Sequence, residues 1–336
     1  MLKKSVCVLV TMAILAVLPL DAGLIHEAAK TDDLEKIKEI LKKQPSEVNS
    51  TTDYGMTPTG YMLTPLHWAA RMGYLDIAEF LLQNKADIKA RTSRGMIPLH
   101  MAALRGHLPL VKKLVECGSE VNAKDNFGAT PLELAVLKGS SDVVAYLIEK
   151  GAKTDIQDEN GNRLIHMAAM YGHYKIMDYL LTKYDNVNER NADGATPLHL
   201  TARNNNCYIA KLLIAKNADV NSRDKTGKTP LHIASKLFYF DMIKFLLNSG
   251  AQIDALDNED ETPLYAVARQ AFWESSWNKK KAPELTDKFK NIFRLYVAKG
   301  ANLHLASKDG GTILNMANFL LGSQETTKIL KELQAK

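Results

Sequence analysis

Cysteine is scarce in this chain of 336 residues: there are three, Cys7, Cys117 and Cys207. Cys7 falls in the first apolar segment, so two are left for the body of the protein, which excludes a disulfide-dense scaffold. No paired Cys-x-x-Cys, no phosphate-binding glycine loop and no G-x-S-x-G occurs. Nucleophilic catalysis needs a nucleophile, a base and an orienting group together. Here each Ser, Cys or Asp falls instead in a recurring structural slot. A strong charge of one sign is lacking too, since 43 basic side chains face 38 acidic ones, too mild an excess to imply nucleic acid. Beyond the N-terminus there is no apolar run of the roughly 20 residues a membrane span requires. The hydrophobic share, 46%, is that of ordinary soluble proteins, and the length allows one large or two average domains.

The N-terminus departs from this composition. "MLKK" is a short positive region, and Ser5 to Leu20 then run without a charge, the order of parts in a secretory leader. Ala22 supplies the small residue that cleavage needs. Residues 1–22 are therefore expected to be a signal peptide, leaving a chain with no integral membrane segment, exported to the periplasm or secreted. The bare, short leader points to a bacterial exporter.

What is abundant is repetition. "TPLHWAA" at Thr64 returns as "IPLHMAA" at Ile97, "TPLELAV" at Thr130 and "RLIHMAA" at Arg163, then "TPLHLTA" at Thr196, "TPLHIAS" at Thr229 and "TPLYAVA" at Thr262, each 33 residues after the last. Weaker copies start at Leu24 and Thr312, giving nine units with eight extra residues near the front and 17 near the back. Thr196 can cap a helix with its hydroxyl, and Pro197 begins one with φ already set. Leu198 and Ala202 give a thin apolar face. Leu108, Val111, Leu114 and Val115 give the second helix of one unit its stripe. Helices of about nine residues do not persist alone, so stacking against neighbouring units must stabilise them.

This period, with T-P-L-H-x-A-A, then a helix such as "LPLVKKLVECG", then "SEVNAKDNFGA", resembles the ankyrin repeat. The resemblance spans residues 23–336. It implies an all-α solenoid of about nine stacked helix-turn-helix units joined by hairpin loops, with no active site of its own, no cofactor and no metal. Residues 24–52 and 307–336 read as polar capping units. In the first, Asp32 and Glu35 have capping-box spacing.

The resemblance also implies a binding face, the hollow formed by loop tips and the last turn of each first helix. That last turn carries Arg71, Arg105, Lys138, Arg203, Lys236 and Arg269, with Tyr171 breaking the series. Beside them lie Met72, Leu104, Leu137, Met170 and Leu237, and the front loop tips offer Tyr61, Arg94, Met96 and Phe127. Aromatic, Met and Arg side chains are the usual interface anchors; solvated helix ends are the plainer reading of the basic series. The later tips, Glu159, Asp193, Glu259 and Glu261, are acidic, so the face changes sign and favours an oriented protein partner.

His67, His100, His166, His199 and His232 share one slot. At about 10 Å between stacked helices they are too far apart to share an ion, so they are expected to bond backbone and the capping threonine. Cys117 and Cys207, three units apart, are expected to be unpaired, small buried hydrophobes. Arg163 and Leu164 replace a cap and a proline, Asp260 stands where the loop has Gly, and Phe238 stands where a helix-ending Gly belongs, which predicts strain and local weakness.

One stretch breaks the period: residues 271–287, an insertion at a helix-to-helix turn with Phe272, Trp273 and Trp277 followed by Lys279, Lys280 and Lys281. Two readings stand. The aromatics pack against the final unit, or Trp273 and Trp277 form a second contact for a partner or a membrane surface. The functional expectation is a monomeric, exported adaptor or scaffold that binds another protein, with a secreted effector acting on a host protein as the alternative. An enzyme has no constellation to support it.

Overall fold

The computed structural model describes residues 23–51, 62–183 and 186–334. The expected leader, 1–22, and Tyr61 lie outside the described residues. The chain gathers into two compact units, one ending at Lys153 and the other beginning at Thr154.

The first unit contains, among its described residues, α1 Leu24–Lys30, α2 Leu34–Lys43, α3 Pro65–Met72, α4 Leu75–Gln83, α5 Pro98–Arg105, α6 Leu108–Glu116, α7 Pro131–Lys138 and α8 Ser141–Glu149. The second contains α9 Leu164–Tyr171, α10 Tyr174–Leu180, α11 Pro197–Arg203, α12 Cys207–Ala215, α13 Pro230–Lys236, α14 Phe240–Asn248, α15 Pro263–Trp277, α16 Ala282–Ala298, α17 Ile313–Leu321 and α18 Ser323–Gln334. These are nine helix pairs among the described residues, the fold expected from the repeat.

Local chemistry sets the helix limits. The hydroxyls of Thr130 and Thr262 accept the N–H of Glu133 and Tyr265 at 3.3 and 3.1 Å, and proline follows each as the first helical residue. α3 stops at Gly73, whose φ of 86° a side chain would resist and whose added Cβ would lie 2.6 Å from the His107 ring. In the second unit that left-handed position is held at φ 58° by Phe238, the strain expected there. Asp260 is likewise left-handed, at φ 56°. α9 starts without proline; instead Arg163 donates its N–H to Nδ1 of His166 at 3.3 Å.

Within each unit, first helices pack on first helices and, less extensively, second on second. Leu66, Leu99, Ile77, Leu110 and Leu114 are fully buried in the first unit, and Leu198, Leu231, Ile209, Leu213 and Phe293 in the second. Truncating one such side chain to Ala costs about 2–5 kcal/mol. Three details correct the sequence reading. Asp33, not Asp32, caps α2 by accepting the Lys36 N–H at 2.8 Å, while Asp32 adopts φ 62°. The buried stripe of α6 is Leu110, Val111 and Leu114, with Leu108 and Val115 only half-buried, because Leu110 faces the neighbouring helices. Cys117 is exposed at the end of α6, not a buried hydrophobe, because that turn ends the packed face.

The insertion lengthens helices rather than the turn between them. α15 has 15 residues and α16 has 17, against seven and nine for α13 and α14. Ala271, Leu285 and Phe289 of the added length are buried, and Phe289 lies 5.6 Å from Phe293. Phe272 packs on Phe319 of α17 at 5.3 Å. Trp273 touches this packing only through Phe272, with ring centroids 6.2 Å apart, and Trp273 and Trp277 stay 54% and 84% exposed.

Candidate functional site

The histidine slot is a staple between successive repeats. His67 Nδ1 accepts the Thr64 N–H at 3.2 Å, so the proton sits on Nε2, which donates to Met96 O at 3.0 Å. His100 repeats this on Ala129 O at 3.1 Å, His199 on Lys228 O and His232 on Glu261 O, both at 3.0 Å. Burial lowers the pKa of each, to about 4 for His67 and His100, against the opposing pull of these backbone carbonyls. Their chemistry is thus used up in the fold.

A second staple went unread in the sequence. Asn49 Oδ1 accepts the Asp87 N–H at 2.7 Å, Asn122 that of Lys153 at 2.8 Å, Asn188 that of Asp219 at 2.8 Å and Asn221 that of Gln252 at 2.7 Å. The recurrent Val-Asn was its signal. Across the 17-residue excess, Asp254 does the same for Asn302 N–H at 3.0 Å. Loop tips are closed by the preceding acid, as where Asp125 accepts the N–H of Phe127 and Ala129, both at 2.9 Å.

On this frame the predicted contact residues fall in two rows per unit, separated by the length of a first helix, about 12 Å for eight residues. In the first unit Phe127 is 55% exposed at its tip, with Arg94 half-buried on the tip before it. In the other row, Met72 and Lys138 are exposed and Arg105 and Leu137 half-buried. Burial lowers the pKa of His107, and the charges of Arg105 and Lys138 lower it further. Arg71 lies over the Trp68 ring at 5.4 Å, with Lys30 also over that ring at 5.9 Å. Met96 and Leu104 are corrected: they are 5% and 6% exposed, and neither presents a surface. Met96 is drawn in where its carbonyl meets His67, and Leu104 is enclosed because α5 packs against both α3 and α7.

In the second unit Arg203 and Lys236 are exposed, whereas Met170 and Tyr171 are half-buried, Tyr171 stacking on His173 at 6.1 Å. Leu237 is exposed beside Lys236. Glu159, Asp193 and Glu259 are exposed at tips, but Glu261 is corrected. It is buried 2.6 Å from Arg269, which removes Glu261 from the surface series and leaves Arg269 half-buried with its charge paired. Burial, with Asp257 nearby, holds the Glu261 carboxyl above its usual range despite that guanidinium. Burial also opposes ionisation of Asp257, but the N–H groups of Glu261 and Glu259 and the Lys228 ammonium, at 3.3 Å, hold its pKa down. Sequence reading missed two exposed aromatic groups: Tyr174 with Tyr208, rings 5.5 Å apart, and Phe319. Only tertiary neighbours reveal them, since an aromatic in a helix is more often core.

Among the described residues no group of three or more His, Cys, Asp or Glu is placed to hold a metal ion, and no helix is long and apolar enough to cross a membrane. Stacked helix pairs with diversified tips define a repeat scaffold of the kind that recognises proteins. The family described as "Ankyrin repeats (3 copies)" matches residues 21–92, 66–158, 99–191, 140–224 and 165–257, and the chain belongs to the ankyrin-repeat family. It is a protein–protein interaction module of that kind. The crystal structure of the human ASB11 ankyrin repeat domain is similar, at 31% identity and a TM-score of 0.57, over 61% of this chain and 91% of that one.

Proposed function

We propose that this protein is an exported adaptor or scaffold that grips a partner protein on the first-helix and tip face. One observation carries the choice of face: Phe127 and Met72 stand exposed in the first unit with Arg105 and Lys138 beside Met72's row, anchor types held on a rigid frame. The proposal of export rests on the leader-like order of residues 1–22.

The partner face is tested by changing Arg105 and Lys138 to Glu and Phe127 to Ala together. Capture of the partner from native extracts should be lost while the helical signal persists, since surface changes shift stability by less than about 0.5 kcal/mol each. Undiminished capture moves binding to another face. Mass spectrometry of the mature N-terminus tests export: a chain that still begins at Met1 refutes it. Cell fractionation then separates a resident adaptor from an effector released to act on a host protein.

A further inference from the structure

We propose that the α15–α16 corner is a peripheral docking site for an anionic lipid surface. α15 has 15 residues where α11 and α13 have seven, so at about 1.5 Å per residue it carries its corner roughly 12 Å past theirs. The projecting end is aromatic. Trp273 and Trp277 are one helical turn apart on one side of α15, and Phe272 joins Trp273 to Phe319 of α17, with centroids 6.2 Å from Trp273 and 5.3 Å from Phe319. Trp273, Trp277 and Phe319 are 54%, 84% and 70% exposed. An exposed aromatic group of this size on a soluble fold marks a contact surface.

Lys279, Lys280 and Lys281 follow directly, all exposed. The ion pairs around the corner belong to other lysines, Lys288 with Glu284 at 2.7 Å and Lys290 with Glu325. Glu274 is engaged by the Gln270 amide at 2.6 Å. Indoles sit at the headgroup level of a bilayer, ring toward the acyl chains and N–H toward water, and lysines beside them meet anionic headgroups. Charge and relief select a lipid surface over a protein. The indoles line only a shallow depression with Glu274, Asn278 and Lys281, in which the single carboxylate is held by Gln270 and outnumbered by Lys279, Lys280 and Lys281. This site is independent of the partner face.

The test uses the full chain and vesicles of phosphatidylcholine, with and without a third of the lipid as phosphatidylserine. Of the three tryptophans, Trp68 is buried, so emission changes report Trp273 and Trp277. Anionic vesicles should shift emission to shorter wavelength, and brominated lipid should quench it. Each lysine near such a surface contributes about fivefold in affinity, so changing all three to Ala should weaken binding about 100-fold. Trp273→Ser with Trp277→Ser should abolish the quenched signal and most of the binding. No shift with anionic vesicles overturns the proposal. So does an equal shift on neutral vesicles that survives the lysine changes. Vesicle association without quenching also overturns it, since the contact then lies elsewhere in the chain. Capture of a protein through the same indoles without lipid binding would assign the corner to a protein interface instead.

Discussion

Acid should weaken the first unit before its ordinary carboxylates titrate, and two histidines supply the largest part of the effect. Burial lowers His67 and His100 from 6.5 to about 4 in the folded chain. Between those values the unfolded state binds the proton and the folded state does not, so stability falls as pH falls. The contribution is whole above about 6.5, declines through the window, and is gone near 4. At about 1.36 kcal/mol per pH unit and per site, lowering the pH from neutral to about 5 costs about 2 kcal/mol for each histidine, or about 4 for the pair. That is a large part of the 5–15 kcal/mol typical of a domain. The geometry explains why the folded state refuses the proton: a protonated Nδ1 could no longer accept the N–H of Thr64, 3.2 Å away. The assay is urea unfolding at pH about 7.5 and about 5, with Trp273 and Trp277 changed to Phe so that Trp68 alone reports. Ordinary carboxylates, with pKa values of about 4, remain mostly ionised over this range. His67→Gln, which cannot titrate, should remove about 2 kcal/mol of the pH dependence and leave the part due to His100 and to His26 and His107, which burial lowers as well. A midpoint shift at pH 5 worth less than about 1 kcal/mol, or one unchanged in His67→Gln, would refute the staple as the cause.

Asp260→Gly should stabilise the second unit by about 1 kcal/mol, because the exposed side chain holds φ 56° and makes way for the residue used at other tips; a lower melting temperature in thermal unfolding would contradict this. Tyr296→Phe should cost about 1–3 kcal/mol by leaving the buried Ser235 hydroxyl, 2.6 Å from the Tyr296 oxygen, without its partner. Adding Ser235→Ala should recover part of that loss in a double-mutant cycle, and strictly additive losses would show that the two hydroxyls do not interact.

The repeat determined most of the fold before any coordinates. Thr64, Pro65 and Gly73 carry their own backbone instructions, so cap, start and stop are local and legible. The fate of the histidines was legible too, because one slot repeated at 33 residues can only meet the same neighbour each time. The left-handed turn at Phe238 followed from the glycine missing there. Exposure was not legible in this way. Met96 and Leu104 have interface chemistry, yet the neighbouring helices close over them, whereas Phe127 beyond the helix start stays open. Glu261 reads as a surface acid, but its tip turns inward onto Arg269. Phe319, which the sequence left unmarked, lies outside, beside the lengthened α15. Helix limits depend on contacts within a few residues of chain, while the side open to a ligand depends on which distant helices arrive alongside, and only the folded stack decides that.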